Sequence, residues 1–378
     1  MQSYTVSEVW DIPIRINVSL LVFLPILAWL LGNGRQIALY AGLVTDLTGA
    51  GFDVAGLQAG ATPWVIGVVA AVGLFVSVTV HELGHSWVAL RYGIEIESIT
   101  LWILGGLASL KTVPREWNRE FWIAVAGPLT SVLVAVVCLV GVLVLPSSLE
   151  VARFVLGWLG VTNLTLAAFN LLPAFPMDGG RVFRALLARR RPYATATRIA
   201  SRVGVLFALL FAVVGVLGFQ LLLLLLALFL YNAATTESRT VLLDELLDGL
   251  TVGDVMSADP ATVEASATVE EFGARMLRDR QTIYLVTDGD RPVGVVSLDD
   301  LRSVGREERS TVTVGSVAHE VPRVEAGADA FESLAVLMQA GARNALVESD
   351  GRLVGLLSEA DYARALTIQR GFQSTIPG

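Results

Sequence analysis

One cysteine, Cys138, stands in 378 residues, which excludes an intrachain disulfide and any zinc site built from several thiolates. Its apolar neighbours read as those of a small core residue. Lysine is nearly absent as well, Lys111 being the only one, so arginine carries the basic charge. Histidine occurs three times, at 81, 85 and 319. Charged residues make up 16% of the chain against 54% hydrophobic, a balance that excludes a disordered chain and exceeds what a soluble core needs. With a net charge of −8, no nucleic-acid partner is expected.

What polarity there is lies unevenly. Residues 1–236 hold 14 Lys+Arg against 11 Asp+Glu, whereas residues 237–378 hold 13 against 24. A near-neutral membrane part, 1–236, is therefore followed by an acidic soluble part. Residues 16–31 form an apolar run without a strongly basic leader or an Ala-x-Ala exit, so a retained first span is expected rather than a cleaved signal peptide. At ~20 residues per crossing, five further spans are expected near 63–88, 121–145, 154–172, 199–217 and 219–235, the last two forming a hairpin at Gly218. The fold class is thus a polytopic α-helical membrane protein of about six transmembrane helices with a C-terminal soluble α/β module. Residues 49–61 read as a flexible outer loop.

Arginine placement gives the orientation. Arg91, Lys111, Arg115 and Arg119 lie between the second and third spans, and Arg181, Arg184, Arg189, Arg190, Arg191, Arg198 and Arg202 follow the fourth. The alternate loops offer only Arg35 and Arg153. The positive-inside rule then places both termini, and the soluble module, in the cytoplasm of a multi-pass cell-membrane protein.

Residues 94–110 alternate in part and contain Gly105-Gly106, which favours two strands and a turn. An open strand edge cannot face lipid, so this segment is expected to line a cavity or the interface, where it can pair with an extended peptide. A simple amphipathic connector is the other reading. Farther on, Val252-Gly253 recurs as Val314-Gly315 and Pro260 as Pro322, each 62 residues apart. Val293 to Ser297 recurs as Val354 to Ser358 at a spacing of 61. Two copies of one small α/β unit are implied, at 251–310 and 311–370, with 237–250 as linker and 371–378 as a tail.

The chemistry is concentrated in His81-Glu82-Leu83-Gly84-His85, at the end of the apolar run 64–79. Helical residues four apart share a face, so both imidazoles reach one metal ion, and Glu82 reaches a metal-held water without being a ligand. A charged group at membrane depth costs roughly 2.5 kcal/mol or more, which makes three ionisable groups in five positions hard to explain without a metal. A catalytic zinc takes three protein ligands. Asp178 is the expected third, at the end of the fourth span in a stretch, 170–180, that two prolines and two glycines break; a helix-ending turn with an Asx-type cap is the other reading, which leaves Asn170 and the prolines unexplained. His319 lies in the repeats and reads as a surface histidine.

On these motifs the membrane part resembles the site-2 protease family of intramembrane zinc metalloproteases. The resemblance rests on His81 to His85, on Gly105-Gly106, and on Asn170 through Gly180, which fits the family's Asn-Pro-Pro-Asp-Gly pattern. It implies one catalytic Zn2+ bound by His81, His85 and Asp178, with Glu82 as acid/base. It further implies that Asn170 steadies the substrate or the developing oxyanion and that the Gly105-Gly106 hairpin binds substrate as an added strand. The expected partners are a transmembrane protein substrate and the lipid bilayer. Two other readings stand beside it: a zinc-binding sensor or scaffold without protease activity, which leaves Glu82 without a use, and a metal or proton transporter.

The repeats resemble paired cystathionine-β-synthase (CBS) domains. Each copy carries the pattern of a glycine, two apolar residues, serine and, three positions on, aspartate: Gly294, Ser297 and Asp300, then Gly355, Ser358 and Asp361. The resemblance implies an adenine nucleotide, ATP or AMP, at Ser297, Asp300, Ser358 and Asp361, or a homodimer formed through the CBS pair. Helix capping by the serines and aspartates is the plainer reading.

Overall fold

A computed structural model of the chain describes residues 3–103, 105–110, 114–279, 281–289 and 291–374. Lys111, Leu104 and the end of the expected tail, 375–378, lie outside the described residues. The chain divides into two compact units, Met1–Arg239 and Thr240–Gly378.

The first unit opens with strands β1 (Ser3–Val9) and β2 (Ile12–Asn17), then helices α1 (Val18–Leu31), α2 (Gly34–Thr48), α3 (Val54–Leu57) and α4 (Thr62–Arg91). Strands β3 (Ile96–Trp102) and β4 (Gly105–Leu110) follow, then α5 (Trp117–Val144), α6 (Glu150–Asn170), α7 (Asp178–Ala188), α8 (Tyr193–Leu217) and α9 (Leu221–Leu247). Helices α4, α5, α8 and α9, and the segment Ser147–Asn170, are each long and apolar enough to cross a membrane.

The expected first span, 16–31, takes a different form. Residues 16 and 17 belong to β2, and Asn17 caps α1 by accepting a hydrogen bond from the Ser19 amide. The 14 residues of α1 reach only about 21 Å, short of a ~30 Å hydrocarbon core. The chain breaks at Gly32 and Asn33 and resumes as α2 at an angle of 71°, the two helices together being long and apolar enough for a broken span or a re-entrant loop. The break has a packing cause: a Cβ on Gly32 would stand 2.5 Å from the Pro63 carbonyl oxygen, and one on Gly67 2.0 Å from that of Ala28. The expected outer loop, 49–61, holds the short α3, whose Leu57 is buried. Beyond Tyr231, α9 runs on through most of the expected linker.

The four strands form one sheet in the order β1-β2-β3-β4, with β2 and β3 parallel and the other pairs antiparallel. Ile12, Ile14, Ile96, Ile99 and Leu101 of this sheet share a core with Val78 and Ala89 of α4 and Ile123 of α5. The sheet is thereby held against the stretch of α4 that carries both histidines. Its β4 edge is unpaired among the described residues.

The second unit contains α10 (Val252–Val255), β5 (Thr262–Glu264), α11 (Val269–Asp279), β6 (Ile283–Asp288), β7 (Arg291–Ser297) and α12 (Leu298–Arg302). A second round follows: α13 (Val314–Val317), β8 (Arg323–Glu325), α14 (Ala330–Ala340), β9 (Asn344–Ser349), β10 (Arg352–Ser358) and α15 (Glu359–Ser374). Each round makes a three-stranded sheet with the same pairing, parallel then antiparallel. The copies interlock: Val252 and Val255 pack in the core of the second copy, and Val314 in that of the first. Val295 bridges to His319 and Leu356 to Ser257, two contacts related by the repeat itself. Gly294 and Gly355 permit this crossing, because a Cβ there would stand 2.6 Å from the His319 oxygen or the Met256 sulfur.

Candidate metal centre

Helix α4 supplies His81, Glu82 and His85, α6 ends on Asn170, and α7 begins on Asp178. Helices α4 and α6 run side by side in the same direction. A Cβ on Gly73 would meet Leu159, Asn163 donates to Ser77 at 3.0 Å, and Asn170 Nδ2 stands 3.4 Å from His81 Nε2. The turn between α6 and α7 doubles back, and glycine is required where it does. A Cβ on Gly179 would stand 2.3 Å from the carbonyl oxygens of both Leu171 and Leu172. Asp178 is thus delivered to the histidines by a backbone packed on itself.

Three atoms converge. His81 Nε2 and His85 Nε2 are 3.2 Å apart, and each is 3.2 Å from Asp178 Oδ2. Four ligands about 2.0–2.1 Å from a tetrahedral zinc stand about 3.3–3.4 Å from one another, so the triangle has the dimensions of a zinc site's protein face. The chemistry of the donors agrees. His85 Nδ1 lies 2.7 Å from the Ile123 carbonyl oxygen, which only accepts, so Nδ1 carries the proton and Nε2 presents its lone pair. His81 Nδ1 lies 2.8 Å from Ser131 Oγ, which fixes the other ring. Both histidines are buried.

Helix α5 contributes the third wall through Ile123, Gly127 and Ser131, four apart and on one face. None of the three stands out in the sequence, because an isoleucine, glycine or serine in an apolar helix ordinarily serves helix packing. The neighbouring Gly127-Pro128 pair was the available signal. Glu82 lies on the other side, against β4: a Cβ on Gly106 would stand 2.5 Å from Glu82 Cγ and 2.9 Å from Oε1. Gly106 pairs with Leu101, and Gly105, at φ 134°, turns the chain into β4 in a conformation open to glycine. The geometry therefore brings together His81, His85, Asp178, Asn170, Glu82 and Gly106.

In the second unit Ser297 and Asp300 line a pocket of about 690 Å³ with Asp299, His319, Arg343 and Glu359. Asp300 Oδ2 accepts from the Ser297 amide and hydroxyl, while Oδ1 lies 3.6 Å from His319 Nδ1. Ser358 and Asp361 form the same capping pair but are buried, with Asp361 Oδ1 accepting from Ser257 at 2.8 Å. They do not line that pocket.

Residues 69–154 and 147–211 match peptidase family M50, and residues 252–307 match the CBS domain. A zinc metalloprotease of Methanocaldococcus jannaschii is 34% identical over 304 residues, 78% of this chain and 84% of that protein. The Rip3 protein of Mycobacterium tuberculosis is 35% identical over 327 residues, covering 81% of this chain and 82% of its own. The solved structure of a site-2 protease from Methanocaldococcus jannaschii is 33% identical, with a TM-score of 0.43 over 63% of this chain and 96% of that one. Relatives of this identity, matched over most of their length, assign the chain to peptidase family M50, the site-2 proteases, as a multi-pass membrane zinc metalloprotease with a C-terminal CBS module.

Proposed function

We propose that His81, His85 and Asp178 hold one catalytic zinc ion, that Glu82 is the acid/base, and that the substrate is a membrane protein cut in or near a transmembrane segment. The observation that carries this reading is the 3.2 Å triangle of two imidazole nitrogens and a carboxylate oxygen, with a fourth ionisable group, Glu82, next to His81 in sequence and outside the triangle. Zinc, when bound, supplies Lewis acidity to a carbonyl oxygen and a water.

The protein's own groups do the rest. Ser131 and the Ile123 carbonyl hold the two rings by Nδ1, which orients both Nε2 atoms toward the metal position. Glu82 takes a proton from water as its oxygen attacks the scissile carbonyl, and delivers a proton to the leaving nitrogen as the C–N bond breaks. Asn170, beside His81, has the amide donor needed to steady the carbonyl oxygen as it gains charge. A transmembrane helix bonds its amides internally, so the substrate unwinds before a stretch of it pairs along the β4 edge at Gly105 and Gly106. Arg91 at the end of α4 and Arg189, Arg190 and Arg191 before α8 support a cytoplasmic location for both termini and the CBS pair.

Replacing Glu82 with Gln tests this function. Zinc content stays at the wild-type level while cleavage of a transmembrane substrate falls by about 10²–10⁴-fold. Wild-type turnover in that variant overturns the assignment.

An adenine nucleotide is proposed at the Ser297–Asp300 pocket, where the carboxylate of Asp300 can accept a hydrogen bond from a ribose hydroxyl. Calorimetry on the full-length protein with ATP and AMP checks it: Asp300→Ala loses the heat of binding. Equal cleavage rates with and without bound nucleotide discard a regulatory role.

A further inference from the structure

Arg184 heads the largest fully buried side chains, at 1% exposure, and sits six residues beyond Asp178 on the same short helix, α7. Among the described residues its hydrogen bonds and ion pairs go to Glu120 and Glu237 and not to the metal ligands. Its Nε donates to Glu120 Oε1 of α5 at 2.7 Å, Nη2 pairs with the same oxygen, and Nη1 pairs with Glu237 of α9. The guanidinium carbon lies 4.9 Å from the ring centres of both Phe175, in the turn before α7, and Tyr193, the first residue of α8. The planar fork is thus gripped from four segments, by two carboxylates and two aromatic rings.

A buried ion pair is a poor source of net stability, because desolvation consumes most of the attraction. What so many directional contacts do supply is a fixed position, and the element they fix is α7. The glycine turn at 179 and 180 holds the start of that helix close to α6. Rotation of α7 about its own axis is opposed by Arg184, and such rotation would swing the Asp178 carboxylate away from the two imidazoles. Glu237 differs from its partners. Its side chain is 38% exposed, and it lies on α9, the helix whose final residues, Thr240 onward, belong to the second unit.

We propose that Arg184 is a positioning residue for Asp178, and that Glu237 is the handle through which α9 sets its position, so that releasing Glu237 from Arg184 draws the carboxylate off the metal. This rests on the reading of Asp178 as a zinc ligand. A displacement of α9 is passed to Arg184 because the contact is a charge-assisted pair with its own preferred geometry. The proposed link runs α9, Glu237, Arg184, α7, Asp178.

The test uses purified full-length protein and two readouts: the rate of zinc release into a chromogenic chelator, and kcat and KM on a transmembrane substrate. Glu237→Gln, at a part-exposed position that leaves folding intact, releases zinc about tenfold faster and lowers kcat with KM unchanged. Glu237→Asp restores much of both. Arg184→Lys, which keeps the charge but loses the planar fork, falls with Glu237→Gln. Asp178→Ala is run alongside and loses its zinc. If Asp178→Ala loses zinc while Glu237→Gln and Arg184→Lys release it at the wild-type rate, the positioning role is refuted and the zinc reading stands. If Asp178→Ala retains its zinc, the zinc reading itself fails and takes the positioning role with it.

Discussion

A Cβ placed on Gly127 would stand 2.2 Å from Nε2 of His85 and 2.7 Å from Nε2 of His81. The backbone of α5 therefore forms the floor of the metal centre, and no side chain fits between it and the rings. Neither ring can yield, since each Nδ1 is held by α5 itself. Gly127→Ala is expected to displace at least one imidazole by about 1 Å, a shift that costs on the order of 10²-fold in rate. Zinc stoichiometry and cleavage rate, measured together, fall together.

Ser131 gives a milder and more selective prediction. Its hydroxyl is the only side-chain partner of a ligand's Nδ1 among the described residues, because His85 leans on a backbone carbonyl. Ser131→Ala is expected to weaken zinc affinity and activity by about 10–100-fold, the usual effect of losing a metal ligand's outer partner. Chelator competition reads the affinity, and Ser131→Thr keeps most of it.

Gly106 packs against the base. A methyl group there would press on Glu82 Cγ at 2.5 Å, and the three atoms nearest to it all belong to Glu82. Gly106→Val is expected to keep stoichiometric zinc and lose at least about tenfold in kcat, through a misplaced Glu82 and an obstructed strand edge. Gly105→Ala meets no atom within 4 Å and is strained only by its φ of 134°, so its smaller effect falls on stability.

The second unit carries a pH signature. The Tyr362 hydroxyl donates to the Ala330 carbonyl oxygen at 3.0 Å, and burial first, then the charge of Asp329, pushes its pKa up to about 12. An acid whose folded pKa is raised favours the protonated state of the fold. Its contribution is complete below the unfolded value of about 10 and is lost as pH climbs from there through 12. Thermal unfolding from pH 9 to 12 is expected to show this loss in the wild type. In Tyr362→Phe the slope is shallower, with a remainder from Tyr284, whose pKa burial and Asp279 also raise, and the lost hydrogen bond costs about 1 kcal/mol at neutral pH.

The parts of this fold visible in sequence are those set by local periodicity. His81 and His85 declare a shared helical face by their spacing, and Val252/Val314 and Gly294/Gly355 declare the internal repeat. Strands at 96–102 and 105–110 follow from partial alternation around two glycines. Residues 12–17 alternate too, yet their run merges with the apolar stretch after Ile16, so β2 is hidden inside an expected span. What sequence conceals most completely is anything that depends on a distant partner. Arg184 sits among six other arginines and reads as a loop cation; its burial is decided by Glu120 and Glu237, 64 and 53 positions away. Ser131 becomes an outer partner of the metal only because α5 packs beside α4. The interlocking of α10 and α13 between repeat copies is likewise a tertiary outcome, since each copy's sequence is compatible with keeping its own opening turn.

X-ray absorption at the zinc edge of the purified protein tests the metal centre most directly. The account predicts one zinc per chain, with two imidazole nitrogens at about 2.0–2.1 Å, oxygen at about 2.0–2.2 Å and no sulfur, and loss of one oxygen scatterer's contribution or of the metal itself in Asp178→Ala. A zinc shell unchanged by Asp178→Ala, or one with a single imidazole, contradicts it.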